Sequence, residues 1–484
     1  MDKEPPRAIE NNALKKALIV IAVGVVLAII PAPAGLTPNA WLYFALFAAA
    51  ILGLILEPIP TAAVGLVAVT LAMVLCLVTP DKPKDSIAWM LAGFSNTTVW
   101  LIFTAYMFAQ GYEKTGLGRR IALLLVKLLG KRTLGLGYAI ALADLVIAPG
   151  TPSNTARSGG TIYPIIENIP ALYGSKPNDP SSRKIGSYLM WTALAITCVT
   201  SSMFLTALAP NPLALDLINK ATKISFTWTD WMIGFLPVGL VLFILTPFLV
   251  YKIYPPEVKV STEVPVWAGK ELEKLGSISR NEIIMAILVI LALGLWIFAA
   301  ALIDTTAVAL MVLALMVVTG VLTWEDVITN KKAWNVLVWF ATLVTLADGL
   351  NKVGFLTWFA KGASTAFAGV PVVLMLILFV ALFFFLHYMF ASLTAHTTAL
   401  LPVILAAAIV VPGMAVKPLV LLLAYTLGLM GILTPYATGP SPIYYGSGYI
   451  TRKDFWVLGL VFGVIFLAVL LIIGLPYLMI LYPS

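Results

Sequence analysis

Polar residues interrupt this otherwise apolar chain at a few compact places, and those places come in matched pairs. Thr151-Pro-Ser-Asn-Thr-Ala-Arg157 breaks one hydrophobic run, and Leu393-Thr-Ala-His-Thr-Thr398 breaks another some 240 residues later. Each is followed by a second break with the same spacing of alanine and prolines, Ala207-x-x-Pro210-x-Pro212 and Ala437-x-x-Pro440-x-Pro442. Between the breaks, apolar runs long enough to span a bilayer recur along the whole length. Lipid cannot satisfy freed backbone groups, so a break at membrane depth needs a compensating environment. Two matched pairs of breaks are the pattern of an inverted-repeat carrier whose site lies between the repeats.

The runs predict spans at about 17–34, 38–57, 61–79 and 91–112, then a basic amphipathic segment from Lys114 to Arg132. A first re-entrant hairpin is expected over about 135–170, a broken span over 187–218 and a further span over 231–252. A charged linker runs from Tyr254 to Asn281. Beyond it, spans are expected near 283–303, 306–323 and 335–350, with an amphipathic segment at 353–368. A second hairpin over about 371–409, a broken span over 418–446 and a last span over 455–481 complete the chain. The expected class is an all-α polytopic membrane protein of about eleven spans in two inverted-topology repeats, each with a re-entrant hairpin and a broken helix. The implied divisions are 1–36 (tail and first span), 37–252 (repeat 1), 253–281 (linker) and 282–484 (repeat 2).

Charge tests that topology. With the N-terminus cytoplasmic, twenty-two lysines and arginines fall on the cytoplasmic side and seven on the other, leaving out Arg157 as intramembrane. That is a strong positive-inside bias. It places the C-terminus outside the cytoplasm and makes the second half upside down relative to the first. Internal similarity agrees: Gly111-Tyr-Glu-Lys-Thr-Gly116 matches Gly349-Leu-Asn-Lys-Val-Gly354 at an offset of 238. The first half carries an extra polar loop, Gly174 to Ser182.

Composition narrows the class further. Hydrophobic residues form 61% of the chain and charged ones 11%, and mean hydropathy is +1.00. Soluble domains carry about a quarter charged residues, which excludes a soluble enzyme. The net charge of +8 is explained by the loops and calls for no nucleic acid. Cys76 and Cys198 lie in apolar runs, so neither a disulfide framework nor a metal site is expected. From the short hydrophilic N-terminus neither a cleavable signal nor a transit peptide is expected. There is no phosphate-binding glycine motif, no paired catalytic carboxylates and no nucleophile with its base. Neither an enzyme nor a cofactor is expected. A channel would need a continuous polar lining, and few polar residues lie outside the four breaks.

The breaks hold the candidate chemistry. Helix N-termini at a hairpin tip present N–H groups to carboxylates, and Ser153, Asn154 and Thr155 add hydroxyl and amide donors. Thr394, His396 and Thr397 occupy the second tip, and Thr206, Thr434 and Thr438 flank the broken spans. These residues form the candidate substrate site; the bland alternative is that they hydrogen-bond between helices. Intramembrane ionisable residues are functional by default, and four stand out: Asp144, Arg157, His387 and His396. Arg157 either clamps a substrate carboxylate, or pairs with Asp144 or snorkels to the interface. Asp144 either serves a cation or balances Arg157. His387 reads as a structural hydrogen-bonder.

These residues resemble the divalent anion:sodium symporter family, through Leu54-Ile-Leu-Glu-Pro-Ile-Pro60, Thr151–Arg157, Ser392–Thr397 and Leu433-Thr-Pro-Tyr-Ala-Thr-Gly-Pro440. The similarity covers essentially the whole chain and is strongest to its bacterial citrate:succinate and tartrate:succinate antiporters and plastid oxoglutarate/malate translocators. It implies a homodimer in a bacterial inner membrane, working as an elevator that carries di- or tricarboxylates. In sodium-coupled members both tips read Ser-Asn-Thr and help to enclose sodium. Here the second tip reads Ala395-His396-Thr397, and Arg157 adds a charge after the first. The departure implies that fixed cations replace sodium, leaving an empty carrier with unpaired positive charge and hence obligatory exchange. A sodium-coupled symporter on the same fold is the alternative.

Overall fold

The computed structural model describes residues 11–366 and 370–483, and among them the chain is helical, with one isolated bridge between Arg132 and Val260. The first half comprises α1 (Asn11–Ile29), α2 (Pro38–Leu56), α3 (Thr61–Val74), α4 (Pro83–Ala92), α5 (Thr97–Thr115), α6 (Leu117–Leu129), α7 (Thr133–Ile147), α8 (Tyr163–Ile166), α9 (Gly186–Met203), α10 (Pro210–Thr222) and α11 (Trp228–Ile253). The linker contains α12 (Glu263–Leu275). The second half comprises α13 (Arg280–Phe298), α14 (Thr305–Val318), α15 (Trp324–Thr329), α16 (Lys331–Lys352), α17 (Phe355–Ala366), α18 (Val372–Leu386), α19 (Leu393–Ala408), α20 (Val416–Leu429), α21 (Pro440–Gly446), α22 (Arg452–Val469) and α23 (Leu475–Leu481).

Among the described residues, nine helices are long and apolar enough to cross a membrane. Two expected spans, 61–79 and 306–323, are the fourteen-residue helices α3 and α14, shorter than a straight crossing needs. The expected amphipathic segment 353–368 is α17, and its last two residues lie outside the described ones, as does the N-terminal tail before residue 11.

Local chemistry fixes the helix ends. Thr227 with Asp230 and Ser279 with Glu282 form capping boxes at α11 and α13, satisfying donors at each start. The matched hexapeptides both end in a left-handed glycine, Gly116 at φ 77° and Gly354 at φ 81°. Each turns the chain from a span into an amphipathic helix, a conformation that suits glycine.

The centre of the molecule is made by the broken spans. Every residue of α9 is buried, and α9 packs against α20. Gly428 permits the approach, since a Cβ there would lie 2.7 Å from Cys198 O. Small residues allow close helix contact where lipid gives no hydrophobic drive. A second apolar cluster joins α2, α3, α4 and α16 and meets the hairpin helix α19 through Ala395, Ala399 and Ala406. At the outside, α1 has no buried residue in its apolar window.

The linker is a strap. Ser261 Oγ donates to Gly130 O at 2.6 Å and Thr133 Oγ1 to Val258 O at 2.6 Å. The α12 helix lies along α6, and Arg120 on α6 donates to Glu282 Oε1 at 2.6 Å and to Gly276 O at 3.0 Å. Both members of this ion pair are buried. Removing one strands the other's charge, which costs about 3–5 kcal/mol. Arg120→Gln is therefore expected to lower the melting temperature in detergent sharply, and adding Glu282→Gln to recover much of the loss. Equal melting of the single and double variants would contradict this.

Candidate functional site

Two hairpin turns, the first flanked by Pro149 and Pro152, and two proline-broken helices meet in one region. At the first tip α7 gives way to a tight turn over Ala148–Gly150, and a π-helical stretch begins at Thr155 and runs to Ile162. Pro149 and Pro152 lack the N–H a continuous helix needs, and π-turns recur at functional positions. The tip is bonded to the break in its own half of the chain: Thr206 Oγ1 donates to Pro149 O at 2.6 Å and Ala209 N to Pro152 O at 2.8 Å. Trp228 Nε1 in turn donates to Thr206 Oγ1 at 3.1 Å.

The first tip also reaches the break of the other half. Asn154 Nδ2 donates to Thr438 Oγ1 at 2.8 Å. Thr155 sits so close to Gly439 that a Cβ there would lie 1.8 Å from its hydroxyl. Ser158 and Tyr444 hydroxyls are 2.8 Å apart. Of these groups, Ser153 is half-buried and Thr155 and Gly439 are exposed, so hydroxyl and backbone face accessible space there.

The second tip is enclosed. Ser392 caps α19 by accepting from Ala395 N at 3.3 Å. Thr397 and Thr398 donate back to Leu393 O and Thr394 O, while Thr394 and His396 are buried. The His396 ring lies among Phe383, His387 and Phe390, with centroids 4.4, 5.0 and 5.0 Å away. Neither of its nitrogens has a hydrogen-bond partner among the described residues. His387 Nε2 is 2.7 Å from Ala437 O, so it ties this hairpin to the second break, the structural bonding expected of it. Thr434 is buried in that break, its hydroxyl accepting weakly from Tyr436 N at 3.4 Å. The arrangement crosses over: α10 packs against α19, and α21 against the π-helical arm of the first hairpin.

Arg157 departs from the clamp expectation. Its side chain is fully buried and every N–H is engaged within the protein. Nε donates to Asp144 Oδ2 at 3.0 Å, and Nη1 to Thr151 O at 2.9 Å and Ala207 O at 2.8 Å. Nη2 donates to Ser201 Oγ at 3.0 Å, with Thr197 and Thr200 hydroxyls at 3.3 and 3.4 Å. Thr200 also donates to the Asp144 carboxylate. In this arrangement the guanidinium holds tip to break and leaves no donor for a substrate. Its charge is also balanced by Asp144, which corrects the expectation of unpaired positive charge at this residue in the empty carrier. With Arg157 bound in this way, the open donors of the first tip are Ser153 and Thr155.

Three groups of residues escaped the sequence reading. Thr197, Thr200 and Ser201 form a polar face on α9 at helical spacing, a signal visible once Arg157 is placed opposite. Asn211, between Pro210 and Pro212, donates to Ser201 O at 2.8 Å and Phe204 O at 3.2 Å, satisfying carbonyls freed by the break. Ser158 and Tyr444 pair across the two halves of the chain with no sequence cue. Among the described residues, no three His, Cys, Asp or Glu side chains gather to hold a metal.

The family profile "Sodium:sulfate symporter transmembrane region" matches residues 11–483. The chain belongs to this family. It is 49% identical over 480 residues to the citrate/succinate antiporter of Escherichia coli K12, covering 97% of this chain and 98% of that one. It is 48% identical over 466 residues to the L-tartrate/succinate antiporter of Shigella sonnei, covering 94% and 96%. Among solved structures, the YdaH transporter of Alcanivorax borkumensis aligns with TM-score 0.54 at 16% identity, over 84% of this chain and 90% of that one. MtrF of Neisseria gonorrhoeae aligns with TM-score 0.53 at 14% identity, over 99% and 96%. These two share the fold.

In this symporter-family chain, removing Arg157 alone leaves Asp144 buried without its counter-charge. Arg157→Ala is expected to lose folded protein, since such stranding costs about 3–5 kcal/mol. Arg157→Gln with Asp144→Asn is expected to restore a monodisperse, folded carrier in size-exclusion chromatography. Arg157→Ala folding as well as the parent would refute the tether.

Proposed function

We propose that this chain is a sodium-independent exchanger of di- and tricarboxylates, such as succinate, malate, fumarate, 2-oxoglutarate, tartrate or citrate. The curated relatives named above are antiporters of such acids, and their likeness extends over nearly the whole chain. Substrate carboxylates would meet the Ser153 and Thr155 hydroxyls at the first tip, with Asn154 and Thr438 holding the tip to the second break. A second carboxylate would meet Thr394 and the first-turn N–H groups of α19, favoured by the helix dipole. His396 has unpartnered ring nitrogens and supplies a donor there once the tip opens. Thr206, Thr397 and Thr434 shape the surrounding backbone.

The observation that carries sodium independence is the placement of Arg157. Its Nη1 lies between Thr151 O and Ala207 O, one carbonyl from the tip and one from the break. Freed carbonyls of this kind are what a broken helix offers a cation. A covalently tethered guanidinium fills that role without being transported, and Asp144 keeps the pair neutral in a low-dielectric setting.

The carrier works as an elevator in a homodimer. The alanine stripe of α19 against the α2–α3–α4–α16 cluster supports this reading, because small side chains offer few knobs to resist sliding. The apolar runs support eleven spans in inverted repeats, the charge bias supports a cytoplasmic N-terminus, and the bacterial relatives named above support a bacterial inner membrane. No catalytic step is involved.

Counterflow into proteoliposomes preloaded with succinate is expected to proceed equally with sodium or choline outside. Uptake that ceases on removing sodium would support a coupled symporter instead, and uptake without internal substrate would contradict exchange.

A further inference from the structure

The helices that leave the two breaks are seated differently. In the first half, α10 packs against α5 and α16 as well as α19 and α20, and residues 210–214 at its start are buried. Its counterpart α21 packs against α9 and the π-helical arm and leaves Pro442 and Gly446 exposed.

One polar contact ties α10 to α5. Asn96 caps α5 by accepting from Val99 N at 3.2 Å, and its Nδ2 donates to Asp216 Oδ1 on α10 at 2.9 Å. The carboxylate is thereby held at the positive end of a nineteen-residue helix. Asp216 Oδ2 also lies 2.9 Å from Lys220 Nζ, one turn further along α10. That ion pair belongs to α10 alone. Parting α10 from α5 therefore breaks the Asn96 bond and the dipole contact without stranding a charge. A hydrogen bond to a charged group is enough to tilt a two-state equilibrium about tenfold.

The second half carries only part of this device. Asn330 caps α16 in the same way, accepting from Ala333 N at 3.0 Å, but its Nδ2 donates to Gln110 Oε1 on α5 at 2.8 Å. With the two Ala-x-x-Pro-x-Pro breaks aligned, Asp216 falls opposite Gly446. At that position α21 has no carboxylate to offer.

We propose that Asn96 and Asp216 form a one-sided latch, which holds the carrier in the state seen here with α10 docked on α5. The latch rests on the elevator reading, in which α5 and α16 stay while α10 and α21 move. On the topology proposed above it lies at the outer face, so it favours the state open to the cytoplasm. In the opposite state α10 leaves α5, and Gly446 cannot supply the matching bond at the inner face. The latch therefore stabilises one state alone, as a shift in population requires.

The test places a single thiol at the exposed first tip, Thr155→Cys, in the full chain with Cys76→Ser and Cys198→Ala. A membrane-impermeant maleimide is applied to right-side-out and to inverted vesicles. This parent is expected to label faster from the inner face. Asn96→Asp keeps a capping side chain but sets two carboxylates together, and is expected to raise outer-face labelling about tenfold. Asp216→Ser removes the acceptor without adding charge and is expected to shift labelling the same way. Adding Asp216→Asn to Asn96→Asp reverses donor and acceptor, and is expected to return labelling to that of the parent. Unchanged labelling in both single variants, or no recovery in the pair, would overturn the latch. So would a parent that labels faster from the outer face. Equal labelling of the parent from both faces defeats the elevator reading and the latch with it. One-sided labelling that ignores Asn96 and Asp216 defeats the latch alone.

Discussion

One buried cation organises the centre of this molecule. The Arg157 guanidinium reaches Asp144 on the first hairpin arm, carbonyls at the tip and at the first break, and the hydroxyl face of α9. Two interruptions of regular backbone, the tip and the first break, are thereby joined to the helices α7 and α9 by one side chain. A buried ion pair is poor evidence for stability, because desolvation offsets much of its attraction. Its use here is geometric: a planar fork of donors satisfies several acceptors at once, where lipid would satisfy none.

The remaining breaks obey the same constraint with neutral groups. Thr206 holds Pro149 O, Asn211 covers the carbonyls of Ser201 and Phe204, and His387 meets Ala437 O. The two halves differ in how they do this. The first hairpin encloses a charge pair, whereas the second encloses His396 in an aromatic box without hydrogen-bond partners. The matched motifs therefore surround unlike centres.

Much of this was legible in the sequence because lipid makes hydrophobic runs and their interruptions unusually informative. The four breaks and the matched hexapeptides at 111–116 and 349–354 could be located from pattern alone. The α12 helix could not, since its residues are charged and its order comes from packing along α6. The π-helical arm was equally hidden, as no local signal separates it from an α-helix. Arg157 shows the limit most clearly. Its sequence position allowed either a substrate clamp or a partner for Asp144, and only the crossing of α7, the hairpin arm and α9 decides between them. Asn154 and Thr438 lie 284 residues apart, so their contact required the fold itself.

The central claim is that a tethered guanidinium has taken over the place a coupling ion would occupy. Succinate affinity of the purified chain, measured by calorimetry across a sodium series balanced with choline, tests it most directly. The account predicts one affinity throughout the series. An affinity that strengthens with sodium would show that a mobile ion still completes the site, and would contradict the account.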